Sequence, residues 1–219
     1  MSSTKFDILA TKQPNVVVFD LFGTLVKFGM QYHPFRQLLK WARENGRQVK
    51  PDDARTVMTI NGGVEAISYG LGITPPNELV RNLELQIGDE LASLTLFDNA
   101  IPTIKQLQAR GIEVGVCSNL AQPYGAVIDR LLAGFNLEHF LSYELGTIKP
   151  EAQIYESILS RFNCRAEQCI FVGDTFEADY VGPIALGMKA LHLVRSGATQ
   201  SYQITSLTEV LNHLDGNNP

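Results

Sequence analysis

The chain has 219 residues, of which 45% are apolar and 19% charged, and its formal net charge is −5. This is an ordinary globular composition, long enough for one large domain or for a core with a small insert. The acidic balance and the absence of a basic run or basic helix face argue against nucleic acid or an anionic membrane as the main partner.

The N-terminal stretch, Met1 to Pro14, is polar and lacks the apolar core of a signal peptide. The first element is the apolar, β-branched run Asn15–Asp20, which reads as a buried strand closed by Gly23. A mostly helical region follows from about Gln31 to Leu96. In it, Phe35, Leu38, Leu39 and Trp41 recur at helical spacing until Asn45-Gly46. Pro51-Asp52-Asp53 opens a second helix and Asn61-Gly62-Gly63 breaks it; Thr74-Pro75-Pro76 precedes a third, carrying Leu79, Leu83, Ile87 and Leu91.

From Asp98 the elements alternate. Helices are expected over Ile101–Arg110, Pro123–Leu132, Glu151–Phe162 and Ala178–Leu186. Strands are expected over Ile112–Cys117, Cys169–Val172 and Ala190–Val194, with a short apolar piece at His139–Ser142 and a closing segment Ile204–Leu214. Such alternation implies a parallel sheet with helices on both faces. The expected fold is therefore α/β: a Rossmann-like core over residues 1–29 and 98–219, with a helical cap inserted at 30–97. No apolar segment is long enough to span a membrane. Cys117, Cys164 and Cys169 are odd in number and irregularly spaced, against a disulfide framework or a zinc site. A soluble cytoplasmic protein is expected, and its oligomeric state is not legible.

Ligands of an open α/β sheet bind just beyond the carboxyl ends of its strands. Asp20, Ser118-Asn119, Lys149-Pro150 and Asp174 all fall at strand ends or in the connecting loops, with Asp179 five residues beyond Asp174. A carboxylate, a hydroxyl with an amide, a cation and an acidic pair suit an anionic small-molecule substrate held by Lys149 and Ser118. Asp20 would be the nucleophile, and Asp174 and Asp179 would hold a hard cation. His33, His139, His192 and His213 lack ligand spacing and read as structural or surface residues. Glu177 reads as a helix-start acid. Tyr32, Phe35 and Trp41 read as packing within the cap, with Tyr32 near the hinge.

Four motifs carry a family resemblance: Phe19-Asp20-Leu21-Phe22-Gly23-Thr24-Leu25, Val116-Cys117-Ser118-Asn119, Ile148-Lys149-Pro150-Glu151, and Phe171-Val172-Gly173-Asp174-Thr175-Phe176-Glu177-Ala178-Asp179. In that order and spacing the chain resembles the haloacid dehalogenase-like hydrolases, in the subgroup with a small helical cap. The resemblance implies that Asp20 forms a covalent intermediate, that Thr24 orients Asp20, and that Ser118 and Lys149 bind the transferred group. Phe22, Gly23 and Asn119 would join them around the substrate. It further implies Mg²⁺ held by Asp20, the Phe22 backbone carbonyl and Asp174, with Asp179 as an outer acidic partner.

One position departs from the family's phosphatases. They place a second aspartate, which protonates the leaving oxygen and then activates water, two residues after the nucleophile. That position here is Phe22. Loss of such a group typically costs about 10²–10⁴-fold in rate. An aromatic residue there is similar to the metal-independent 2-haloacid dehalogenases, whereas the acidic pair Asp174 and Asp179 is similar to the phosphatases. The phosphonoacetaldehyde hydrolases need a cap lysine, and Thr56 occupies that place. The expected activity is Mg²⁺-dependent phosphoryl hydrolysis on a small metabolite. The alternatives are a dehalogenase-like hydrolase and a degenerate member that binds a phosphorylated ligand.

Overall fold

A computed structural model of the chain describes residues 14–214. The polar N-terminal stretch and the ends of the expected core segments lie outside that range. At its centre is β1, Val16–Phe19, whose four side chains are all fully buried. Each such side chain contributes about 1.5–3 kcal/mol on burial, so an uninterrupted apolar run is stable only where both faces are covered. Alternation divides the strand: Val17 and Phe19 belong to one hydrophobic cluster, Val16 and Val18 to the other.

After β1 the chain pairs briefly with itself in an antiparallel ribbon of β2 (Val26–Lys27) and β3 (Thr95–Leu96), with Val26 opposite Leu96. Between these strands lie α1 (Pro34–Glu44), α2 (Asp53–Thr59), α3 (Val64–Gly70) and α4 (Asn77–Ser93). Helix α1 starts at Pro34 and buries Pro34, Leu38 and Ala42 along one stripe. The sequence pattern contains no separate signal for α3 or the ribbon: α3 lacks an opening like the Pro51-Asp52-Asp53 of α2, and two-residue strands are too short to show a period. Phe35 and Trp41 are half-buried, but Tyr32 is 41% exposed, which corrects its reading as packing within the helical segment.

The rest of the chain builds the sheet. In order come α5 (Ala100–Ala109), β4 (Glu113–Ser118), α6 (Ala126–Leu132), β5 (Glu138–Leu141), α7 (Ser142–Leu145), α8 (Ala152–Arg161), β6 (Cys169–Gly173), α9 (Gly182–Ala185), β7 (Lys189–Leu193) and β8 (Gln203–Ile204). The six strands run in the order β5-β4-β1-β6-β7-β8, all parallel. Side chains of α5 and α6 cover one face and those of α8 the other.

Two expected helices take other forms. The first turn of Pro123–Leu132 is a 3₁₀ helix, Gln122–Gly125. The expected helix Ala178–Leu186 is a π-helix, Phe176–Val181, followed by the four-residue α9. A π turn is a wide one, common at functional positions, and here it seats Asp179 directly against Gly173. A 3₁₀ helix, Leu207–His213, closes the described chain after β8. Among the described residues, no helix is long and apolar enough to cross a membrane.

Candidate active site

The sheet order makes β1 and β6 neighbours while the chain's next parallel strand, β4, lies on the other side of β1. Their carboxyl ends therefore mark the point where strand order reverses, the position at which open α/β sheets form a crevice. Asp20 leaves β1 there and Asp174 leaves β6. The Asp20 N–H still donates to the Val172 carbonyl at 2.8 Å, so the register of the sheet fixes where the carboxylate begins.

Lys149 is the centre of the arrangement. It is 4% exposed, and its Nζ donates to Asp20 Oδ1 at 2.7 Å, to Asp179 Oδ1 at 2.6 Å and to the Cys117 carbonyl at 3.1 Å. All three ammonium protons are thus assigned. Burial works against the charge on Lys149, but Asp20 and Asp179 outweigh it and hold its pKa above the ordinary lysine value. Burial also pushes Asp20 up to about 7, opposed by Lys149 and reinforced by Asp179. Asp179 is fully buried, and its second oxygen accepts the Thr175 N–H at 2.9 Å.

Asp174 is exposed by contrast, and partial desolvation together with Asp179 raises its pKa. Ligand oxygens of Asp20, Asp174 and Asp179 all lie within 4.8 Å of one another. Three carboxylates without a softer donor are the chemistry of a hard divalent cation. Two glycines make this convergence sterically possible. A Cβ on Gly23, whose φ is +85°, would stand 2.1 Å from Asp174 Oδ2. One on Gly173 would stand 2.3 Å from the Asp179 carboxyl carbon.

The other expected residues are placed as follows. Ser118 is buried at the end of β4, next to the Cys117 carbonyl that takes Lys149. Asn119 clamps the lysine's backbone: its Nδ2 donates to the Lys149 carbonyl at 2.8 Å, and its Oδ1 accepts the Lys149 N–H at 2.7 Å. Its amide is therefore engaged in positioning the lysine. Thr24 is fully buried, yet its hydroxyl finds no hydrogen-bond partner among the described residues. The direct side-chain contact to the Asp20 carboxylate comes from Lys149. Phe22 stacks on Phe28 at 4.9 Å and meets the edge of Tyr124 at 6.1 Å, and Phe35 also meets Tyr124, at 6.3 Å.

Sequence reasoning missed several residues around this centre. Glu90, buried on α4, accepts from the Tyr124 hydroxyl and from the N–H groups of Tyr32 and His33. It thereby ties the start of α1 to the aromatic wall beside Phe22. Its signal was readable, because a carboxylate falls on the buried stripe Leu83, Ile87, Glu90. Arg55 on α2 forms a two-pronged ion pair with Glu151, at 2.6 and 3.1 Å, and also donates to the Gly146 carbonyl. The Arg55 contact, with Thr147 and the Ile148 N–H, holds Glu151 down to about 2. His192, expected to be merely structural or superficial, places Nε2 3.1 Å from the Asp174 carbonyl. Arg195 donates to the Gly23 and Thr24 carbonyls. Neither Arg55, His192 nor Arg195 carries a local signal.

A family model described as haloacid dehalogenase-like hydrolase matches residues 14–187. The chain is 33% identical over 119 residues to a glyceraldehyde 3-phosphate phosphatase of Methanothermobacter thermautotrophicus, a match covering 51% of this chain and 50% of that protein. The matches span about half the length of the first such curated relatives. Among solved structures, a HAD phosphatase from Thermococcus onnurineus superposes with a TM-score of 0.61 at 19% identity, covering 92% of this chain and 98% of that one. A 2-haloacid dehalogenase from Pseudomonas syringae pv. Tomato DC3000 superposes with 0.60 at 19% identity and the same coverages. These likenesses establish the fold; one phosphatase and one dehalogenase share it about equally.

Proposed function

The chain belongs to the haloacid dehalogenase-like hydrolases, and from that premise we propose that it is a phosphatase acting on a small phosphorylated metabolite through a covalent intermediate at Asp20. One observation carries the choice of phosphoryl chemistry: the carboxylates of Asp20, Asp174 and Asp179 converge around a buried lysine. A dehalogenation that displaces halide from carbon has no use for so many acidic groups, because they repel a carboxylate substrate. Phosphoryl transfer uses them to hold a cation.

In this mechanism a carboxylate oxygen of Asp20 attacks phosphorus, the bond from phosphorus to the leaving oxygen breaks, and water then hydrolyses the aspartyl-phosphate. Lys149 favours the ionised form of the buried Asp20 and holds it in its present orientation. Ser118 and Lys149 offer donors to the phosphoryl oxygens, with Lys149 exchanging one of its present partners. Gly23 keeps the backbone low enough for Asp174 to approach. Mg²⁺ fits the donor set of Asp20, Asp174 and the Phe22 carbonyl, with Asp179 outside them. When bound it supplies charge neutralisation for the phosphoryl group. Phe22 provides no proton, which favours substrates whose leaving groups depart as stable anions.

The aromatic wall of Phe22, Phe28, Tyr124 and Phe35 supports a second reading, dehalogenase-like hydrolysis at carbon. A screen of phosphate esters and 2-haloacids, with Mg²⁺ and with chelator, separates the two. We expect phosphate release that requires Mg²⁺ and disappears in Asp20→Asn. Halide release indifferent to chelator would establish the second reading in place of the first.

A further inference from the structure

Arg195 lies beyond β7, outside all four motifs, and none of the catalytic roles above uses it. Its guanidinium nevertheless reaches back 171 residues to the turn after the nucleophile. Nη2 donates to the Thr24 carbonyl at 2.7 Å and to the Gly23 carbonyl at 3.1 Å, and Nε donates to Gly23 at 3.3 Å. The guanidinium carbon sits 3.3 Å above the ring of Phe97, a stacked geometry open to arginine and not to lysine. Phe97 is itself fastened to the same turn, its N–H donating to the Leu25 carbonyl at 2.9 Å. Arg195 also holds a left-handed backbone at φ 53°, a conformation costly for a side chain of this kind.

The turn so held is the one against which Asp174 rests. Gly23 has the Asp174 carboxylate packed where a Cβ would be, and its own carbonyl is pulled by Arg195. Arg195 lies near enough to Asp174 to favour its ionised form, and Lys149 is the other cation that does so. One guanidinium therefore fixes the backbone under one acidic group and tempers its charge, while it stacks on the residue where the helical segment rejoins the sheet.

We propose that Arg195 is a positioning residue, which locks the Gly23–Thr24 turn against Asp174 and thereby sets the affinity of the acidic centre for a divalent cation. This rests on the reading of Asp20, Asp174 and Asp179 as a cation site. Groups that orient metal ligands typically alter affinity by about 10–100-fold when removed. Arg195 acts through two carbonyls and one carboxylate, which places it at the lower end of that range.

The test is calorimetric Mg²⁺ binding to the unsubstituted chain, Arg195→Lys and Arg195→Met, with thermal melts of each in chelator. The expected result is a dissociation constant raised about 10-fold in both variants. With substrate, kcat should recover at saturating Mg²⁺ while KM stays unchanged. Phe97→Leu keeps every Arg195 donor and removes the ring that Arg195 shares with the more distant Lys27, so it should weaken binding by less than Arg195→Lys; it also serves if the arginine variants fail to fold. If the unsubstituted chain binds no Mg²⁺, the cation-site reading falls and this proposal with it. If the unsubstituted chain binds and the folded variants bind equally well, this proposal alone is overturned. A lowered melting temperature with unaltered Mg²⁺ affinity counts as the same refutation, since it leaves Arg195 a purely structural tie.

Discussion

Replacing Lys149 with Met tests the electrostatics of the centre most directly. The side chain is 2% exposed, and its partners Asp20 and Asp179 are 10% and 0% exposed. Met has a similar length and fills the space, so cavity effects are small. What remains are two buried carboxylates facing each other without a counter-charge. Removing one partner of a buried ion pair costs about 3–5 kcal/mol. In a chain of this size each kcal/mol lowers Tm by roughly 2–4 °C, so a fall of about 6–20 °C is expected at pH 8 in chelator. The loss must depend on pH. Burial already raises Asp20 to about 7 with the lysine present, and without it the carboxyl rises further. A carboxyl raised above its unfolded value loses stability progressively as pH climbs from that unfolded value, about 4, to the raised one, and the loss vanishes below both; the higher the raised pKa, the larger the loss at pH 8. The gap between Lys149→Met and the parent should therefore narrow from pH 8 to pH 5. Adding Asp20→Asn to the variant should restore part of the loss at pH 8. Urea unfolding at both pH values measures all of this. A loss under about 1 kcal/mol at pH 8, or one equal at both pH values, would show that the lysine does not hold two buried charges.

Two further substitutions probe the site. Phe22→Asp should raise kcat/KM on alkyl phosphates by up to roughly 10²-fold if the new carboxyl reaches the leaving oxygen, with little change for aryl phosphates. Equal effects on both esters would show that proton supply is not the limiting step. Gly173→Ala should destabilise by about 1–3 kcal/mol, because the added methyl meets the Asp179 carboxyl. Gly134→Ala, where nothing lies within 4 Å, is the control, and equal urea midpoints for the two would refute the steric argument.

Asp20, Lys149, Asp174 and Asp179 were legible because each signal is local: a carboxylate or cation beside an apolar run, with a glycine or proline marking the turn. The parallel sheet was legible for the same reason, since β1 and β6 read as unbroken buried runs and β4 is buried after its exposed first residue, Glu113. What the sequence concealed are relations between distant residues. Arg55 and Glu151 are 96 positions apart, and Arg195 and Thr24 are 171 apart, so neither pair leaves a spacing to read. The π-helix was hidden because Asp179 must tuck under Gly173, a demand of packing that overrides the helical pattern. Thr24 was singled out by its motif alone, and its buried hydroxyl has no hydrogen-bond partner among the described residues.

The ribbon of β2 and β3 has a consequence for how this chain can be rebuilt. Val26 stands opposite Leu96 and Lys27 opposite Thr95, so the chain departs from the sheet and rejoins it on adjacent strands. Strands so paired are about 4.8 Å apart, a gap that a tight turn or a segment of another length can close equally well. The four helices between them therefore enter and leave at one doorway. A donor segment joined there must also replace Arg55 and Glu90, which cross to Glu151 and Tyr124 beside the acidic centre. The demand on a graft is set by Leu38 and Leu83, which share one apolar cluster with Phe19, so a transplant must bring its own greasy underside.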